Sequence, residues 1–318
     1  MRRLLGVELT RLGWRRAVLL LALACVVGPL LTFATVTWQT RPYSESEQQQ
    51  IARELAAETQ RAQADIAACI ADPQAQGIPD GADPEETCRE WYTPQPEWYG
   101  YRQGLDLVDQ RENGSGSAVV GIVVLLLVLA GTTFAGHDWH TGSMSNQLLF
   151  EPRRGRVWLA KGLAVALGAG LLAGAVLGAY WTGLAAVASL RDLGLDGLGA
   201  GYLQALRGAV LAAGGAVLAY ALSMLFRSTV ATLGVLFAAT VLTPLVLALL
   251  AFPGSERWIP TTNIAAVVQN GTTYYDSTCT TDTCERELGL AGGSAYLLGL
   301  LALGVAPSVA TFRRRDVP

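Results

Sequence analysis

The chain has 318 residues, of which 51% are apolar and 15% charged, with a formal net charge of −3 at pH 7. Soluble domains carry about 25% charged residues, and here the few charges stand between long apolar runs. Composition therefore excludes an ordinary pair of soluble domains and points to a membrane.

Residues 1–16 read as a surface helix, because Met1, Leu4, Leu5, Leu9 and Leu12 fall in one arc at 100° per residue. Glu8 lies inside that apolar arc. It needs a basic partner on a neighbouring segment, or it must reach the headgroups beside Arg11 or Arg15. The first span, 17–37, is too long and too apolar for a signal-peptide core and is followed by no small-residue cleavage site, so it reads as an uncleaved anchor. Cys25 within it reads as an ordinary buried thiol.

Residues 38–116 form a large polar insert. The stretch 44–70 has helix formers, no Gly or Pro, and a capping box in Ser44 and Glu47. A Pro/Gly-rich stretch, 72–84, turns the chain back. Trp91, Tyr92, Trp98, Tyr99 and Tyr101 then either contact an amphipathic substrate or form the core of a small domain at the membrane interface, the second being favoured. Asn113 to Ser117 is a flexible joint.

The second span is 117–136, the third 162–188, the fourth 205–226, the fifth 229–252 and the sixth 291–311. Gly170, Gly174 and Gly178 repeat every four positions in the third, a close-packing stripe for another helix. Pro29, Pro244 and Pro307 fall inside spans as candidate kinks, and Arg207 sits where it can snorkel. Between the fifth and sixth spans, 253–290 carries Arg257 through Asn263 and then a short apolar stretch, 264–268. That stretch is too short to cross, so it reads as a re-entrant or interfacial helix.

Charge sets an orientation. With both termini in the cytoplasm, the inside pieces are 1–16, the loop 137–161 with its flank, the joint at Arg227, and the tail 312–318. They carry Arg2, Arg3, Arg11, Arg15, Arg16, Arg153, Arg154, Arg156, Lys161, Arg227, Arg313, Arg314 and Arg315. Against these stand only Glu8, Asp138, Glu151 and Asp316. Cys69, Cys88, Cys279 and Cys284 then fall outside, where disulfides persist. Of the three possible connectivities, the local pairing Cys69–Cys88 and Cys279–Cys284 is favoured.

Some chemistry is missing from the sequence. Lys161 is the single lysine and is not part of a Gly-Lys-Ser/Thr loop, so the chain holds no nucleotide by that route. No span has an acid near its middle, which argues against an ion-coupled carrier. His137 and His140 could place two ligands on one helical face, but interface packing is the favoured role and no metal site is expected. No catalytic set is present, and no nucleic-acid partner is expected.

The loop between the second and third spans carries the functional signal. Gly136-His137-Asp138, Thr141-Gly142-Ser143, Gln147-Leu148-Leu149, Pro152-Arg153-Arg154 and Ala160-Lys161 resemble the corresponding loop of ABC transporter permeases of the type-2 (ABC-2) exporter superfamily, in the Gram-positive type with a cysteine-bearing extracellular insert. The amphipathic N-terminal helix with Glu8, the segment 260–268 and the ending from Phe312 to Val317 look similar too. The resemblance implies an all-α polytopic fold with six transmembrane helices. It also implies a short helix at 141–150 docking on a separate ATPase, through Thr141, Gly142, Ser143, Gln147, Leu148, Leu149, Glu151, Arg153 and Arg154.

It implies further that the chain is a non-enzymatic permease in a bacterial plasma membrane. ATP and Mg would be bound only by the partner, with two ATPase copies per complex and a second permease copy or sister permease in surrounding lipid. Export of a hydrophobic or amphipathic drug, lipid or peptide follows from the resemblance. The alternative is a membrane-anchored sensor or assembly factor with a ligand-binding ectodomain.

Overall fold

The computed structural model describes residues 1–79, 82–95, 97–100, 102–250, 252–276, 278–279 and 284–314. Tyr101 of the aromatic run and the end of the basic tail, Arg315, Asp316 and Val317, lie outside the described residues. Helix makes up 80% of the structure, and among the described residues six helices are long and apolar enough to cross a membrane. The chain is thus an all-α polytopic membrane protein.

In chain order the helices are α1 (Arg2–Trp14), α2 (Arg16–Gln39), α3 (Glu45–Ala71), α4 (Pro84–Tyr92), α5 (Glu97–Gly100), α6 (Leu107–Glu112), α7 (Ser115–His140), α8 (Ser143–Phe150) and α9 (Arg154–Leu190). They continue with α10 (Leu198–Phe226), α11 (Thr229–Leu250), α12 (Pro260–Gln269) and α13 (Leu290–Arg314). The six spanning helices are α2, α7, α9, α10, α11 and α13. Strands β1 (Thr272–Tyr275) and β2 (Glu285–Leu288) form an antiparallel hairpin between α12 and α13. Two compact units result, one of residues 1–35 with the chain from Asp106 onward, the other of Val36–Leu105.

The core of the larger unit lies where α7, α9 and α10 meet. The buried face of α10 is a row of alanines, Ala205, Ala209, Ala212, Ala216 and Ala219, whose alternating spacing of four and three is that of a heptad seam. Lipid offers no hydrophobic drive between helices, so small residues that admit close backbones hold such bundles together. Val119, Val120, Val123 and Leu127 of α7 and Ala169, Ala173, Leu177 and Leu184 of α9 fill the facing layers. Gly131 marks the closest approach, since a Cβ there would lie 2.3 Å from the Ala216 carbonyl oxygen.

The glycine stripe of α9 is only partly the packing seam expected. Cβ atoms at Gly170 and Gly174 would touch Ala213 and Ala209 at 3.4 and 3.8 Å, while at Gly178 nothing stands within 4 Å. Tighter contacts stand at Gly131 of α7, at Gly168 of α9, and on α10, where Gly201, Gly208 and Gly215 recur every seven residues with Cβ distances of 2.7–2.9 Å. Helices α2, α11 and α13 bury few side chains of their spans. Leu20, Leu30, Phe237, Leu249, Leu298 and Leu303 stay exposed on them, as lipid-facing residues do. All three helices continue through their prolines, Pro29, Pro244 and Pro307.

Away from the α1 end, the chain between α11 and α13 packs back on the bundle. Asn263 is buried and its amide donates to the carbonyls of Arg257 and Ile259 at 2.7 and 2.8 Å. Ala266, Val267 and Val268 of α12 are buried, and a Cβ at Gly293 of α13 would lie 2.9 Å from the Asn263 carbonyl oxygen. The hairpin was not expected from the sequence. Its strands are four residues each, and the Cys279–Cys284 disulfide closes its far end. Buried Asp276 accepts from Thr278 and Arg286 at 2.8 Å each.

The smaller unit is organised by α3. Ser44 and Glu47 form the expected capping box, and Arg41 and Arg102 converge on the same Glu47 carboxylate at 3.0 and 3.2 Å. The Cys69–Cys88 disulfide joins α3 to α4. Around it a small core contains Ile78, with Tyr92 against it. Trp91 and Trp98 are exposed, so these two residues of the aromatic run are not part of this core, whereas Tyr92 packs against it.

Candidate functional site

The densest chemistry lies at the end of the bundle where α1, α8 and the start of α9 gather. Helix α1 turns its inner face, Leu4, Leu5, Glu8, Arg11 and Leu12, away from solvent, and its first contact is α9. This is the apolar arc read from the sequence with Glu8 at its centre, while Met1 and Leu9 stay exposed at its edges. Leu12 reaches Gly168, where a Cβ would stand 2.6 Å from its methyl group.

Glu8 is fully buried. A buried carboxylate persists only if paired and hydrogen-bonded, and three residues meet that need. Lys161 of α9 donates to Glu8 Oε2 at 2.9 Å, the Gln147 amide of α8 donates to Oε1, and Arg11 stands 3.6 Å away. Lys161, also fully buried, donates a second bond to Asp138 Oδ2 of α7 at 2.6 Å. Asp138 takes its other cation from Arg15, which sits between α1 and α2 and also donates to the Phe134 carbonyl oxygen. The Phe134 ring lies beneath both cations, 4.6 Å from Arg15 and 5.2 Å from Lys161.

The core of the network thus holds two carboxylates and two cations, and its formal charge closes. Glu8, Asp138 and Lys161 come from α1, α7 and α9, Arg15 from the elbow after α1, and Gln147 adds α8. An array that is charge-balanced and hydrogen-bonded can offset its desolvation, whereas removing one member strands the others. Below it Trp158 donates to Ser308 of α13 at 3.1 Å, and Tyr220 of α10 donates to the Trp158 carbonyl oxygen at 2.9 Å. Helix α9 is thus tied to α1, α7 and α8 by the ion network and to α10 and α13 through Trp158, which brings in four of the six spanning helices.

Helix α8 has two unlike faces. Met144 and Gln147 point inward and are buried, while Leu149 and Phe150 are 80% and 90% exposed. Gly142 enters the helix in the left-handed region, at φ 67°, a conformation glycine adopts without strain. Of the residues expected on the docking loop, Thr141, Gly142, Leu149 and Arg153 are exposed and Ser143, Leu148, Glu151 and Arg154 half-buried. Gln147 is not on the outer face, because its carbonyl and amide are held by Arg11 and Glu8. The loop is also shorter than 137–161, since α7 continues to His140 and α9 begins at Arg154.

Sequence reasoning asked for a basic partner to Glu8 but did not name Lys161 or connect it to Asp138. Both residues were visible only as parts of a loop motif. The signal that identifies them is physical: a chain with one lysine, placed at the start of a span, must give that charge a counter-ion. His137 and His140 do share one side of α7, but both rings are exposed rather than packed. Comparison with models of known protein families, with curated proteins and with solved structures finds no match to this chain.

Proposed function

We propose that the chain is the membrane permease subunit of an ATP-driven exporter of the ABC-2 type, energised by a separate ATPase that docks on α8. The observation that carries this reading is the two-faced α8. Its exposed Leu149 and Phe150 offer a partner an apolar foothold, and its buried Gln147 is hydrogen-bonded to the ion network that joins α1, α7 and α9. A push on the outer face is therefore delivered to charged side chains on three helices that cannot separate cheaply. The single lysine is committed to that network and stands in no Gly-Lys-Ser/Thr loop, which supports a separate protein as the source of energy.

In this reading the α1 end faces the cytoplasm, in line with its excess of arginine, and the disulfide-bearing segments face outward. Two such permeases, or this one and a sister, stand together in the plasma membrane, each with its own ATPase. Helix α12 is the re-entrant element before the last span. The apolar, uncharged spans suit a hydrophobic or amphipathic cargo such as a drug, lipid or peptide.

Co-purification tests the reading. A tagged chain extracted from its native membrane in mild detergent should bring down a protein bearing Walker and signature motifs, identified by mass spectrometry. The double variant Leu149→Ser with Phe150→Ser should insert normally and lose that protein. Recovery of no such ATPase with the unaltered chain, or its full retention by the double variant, overturns the assignment.

A further inference from the structure

A second site opens on the other side of the ion network. The elbow between α1 and α2, the last turn of α7 and the first residue of α11 enclose an open cleft of about 570 Å3, within the usual size range of small-molecule sites. Its cationic and polar wall is Arg15, Arg16, His137, His140 and Thr229, and its apolar wall includes Trp14 and Val18. No acid lines it. Asp138, which follows His137 on α7, is turned into the network and held by Lys161 and Arg15.

Backbone geometry points the same way. Residues 16–18 are the first turn of α2 and line the cleft, so their amides have no partner within the helix. The residue before them, Arg15, carries no acceptor with which a side chain could cap that turn. The start of α11 also reaches the cleft at Thr229, although Ser228 Oγ already accepts from the Ala231 amide of its first turn at 3.2 Å. Two helix C-termini, of α1 and α7, end nearby, so the dipoles roughly cancel and the side chains set the sign. Two of the last-turn carbonyls of α7, those of His137 and Trp139, accept within the chain from Thr141 and Gly142 at 2.9–3.4 Å. The donors at the cleft are the first-turn amides of α2 and the side chains of its polar wall. Arg15 is committed to Asp138 and Phe134, whereas Arg16 is exposed and pairs with no described acid.

We infer that this cleft binds the phosphate headgroup of an anionic phospholipid in the leaflet on the α1 side. Uncapped amides with a guanidinium and two imidazoles suit a phosphodiester. The apolar wall continues into α2, where Leu19, Leu20 and Leu23 are exposed and give the acyl chains a path. Trp14, 80% exposed at the rim, is placed as an interfacial anchor. A free phosphate would use the donors but leave the apolar wall empty, and for that reason the lipid is the occupant. The site does not depend on the transport reading.

Native mass spectrometry of the full chain in detergent, titrated with phosphatidylglycerol or with phosphatidylcholine of the same acyl chains, tests the inference. Phosphatidylglycerol should be retained at one molecule per site and phosphatidylcholine about tenfold more weakly, and Arg16→Ala and His140→Ala should each weaken phosphatidylglycerol about tenfold, a difference of about 1.4 kcal/mol. Arg3→Ala removes an exposed arginine on α1 outside the cleft and should change nothing. Equal retention of the two lipids overturns the site, as does a loss with Arg3→Ala equal to that with Arg16→Ala. Complete displacement by equimolar glycerol 1-phosphate overturns the lipid as occupant. Gel filtration identifies a misfolded variant, and the remaining single variant then decides.

Discussion

Lys161 donates to Glu8 across 153 positions of sequence, at 2.9 Å, and neither side chain reaches solvent. The bond joins the N-terminal helix, which cannot hold itself in place by its own few apolar residues, to the third spanning helix. Because Lys161 also holds Asp138, one ammonium group is the counter-ion of two buried acids.

Replacing Lys161 with methionine keeps its length and removes its charge, leaving Glu8 with Arg11 and Asp138 with Arg15. Breaking a buried pair in this way costs about 3–5 kcal/mol. The variant should melt well below the unaltered chain in detergent, as followed by far-UV circular dichroism. Glu8→Gln with Lys161→Met should recover part of the loss, since no uncompensated charge then remains between that pair. A double variant as unstable as the sum of the two singles would show that Glu8 and Lys161 are not coupled.

Much of the architecture was legible because its causes are local. The spans followed from apolar length, the α3 start from Ser44 and Glu47, and both disulfides from proximity in sequence. The ion network was only half legible. Glu8 on an apolar arc announces that it needs a partner, but which cation answers depends on how α1 lies against α9, a tertiary fact. The exposure of Trp91 and Trp98 escaped for a similar reason, because composition states what can be buried and not what is. The β1–β2 hairpin lies in a stretch where four-residue strands carry little periodic signal.

Glycine positions give a sharper contrast between pattern and packing. Gly131→Ala places a Cβ 2.3 Å from the Ala216 carbonyl oxygen and must push α7 away from α10, whereas Gly178→Ala meets nothing within 4 Å. The first should lower thermal stability by about 1–3 kcal/mol, as overpacking does, and the second should leave it unchanged or slightly raised. Equal melting of the two variants would mean that α7 and α10 do not approach as closely as described.

The Cys69–Cys88 bridge encloses a sequence separation of 19 residues and stands at the centre of the smaller unit's core. Closing a loop of that size stabilises by about 3 kcal/mol in the chain-entropy account. Cys69→Ser with Cys88→Ser should therefore make the connection between α3 and α4 accessible to limited proteolysis, while the spanning helices stay protected. Protection of residues 72–83 equal to that in the unaltered chain would count against the disulfide as the organiser of that core.

Glu47 sets the pH range over which the start of α3 holds. The Ser44 backbone amide, then Arg102, the Ser44 hydroxyl and Arg41 all favour its ionised form and bring its carboxyl from 4.5 down to about 2. A folded-state value below the unfolded one means that acid protonates the unfolded chain first. The stabilisation is thus complete above about pH 4.5 and lost as the pH falls toward 2. Because the carboxylate is solvent-accessible, salt should weaken the effect. Hydrogen exchange of the Ser44 and Glu47 amides should be flat from neutral pH to about 5 and lose protection below 4.5, beyond the intrinsic trend, with Glu47→Gln removing that extra loss. An unchanged acid profile in Glu47→Gln would show that another carboxylate controls the helix start.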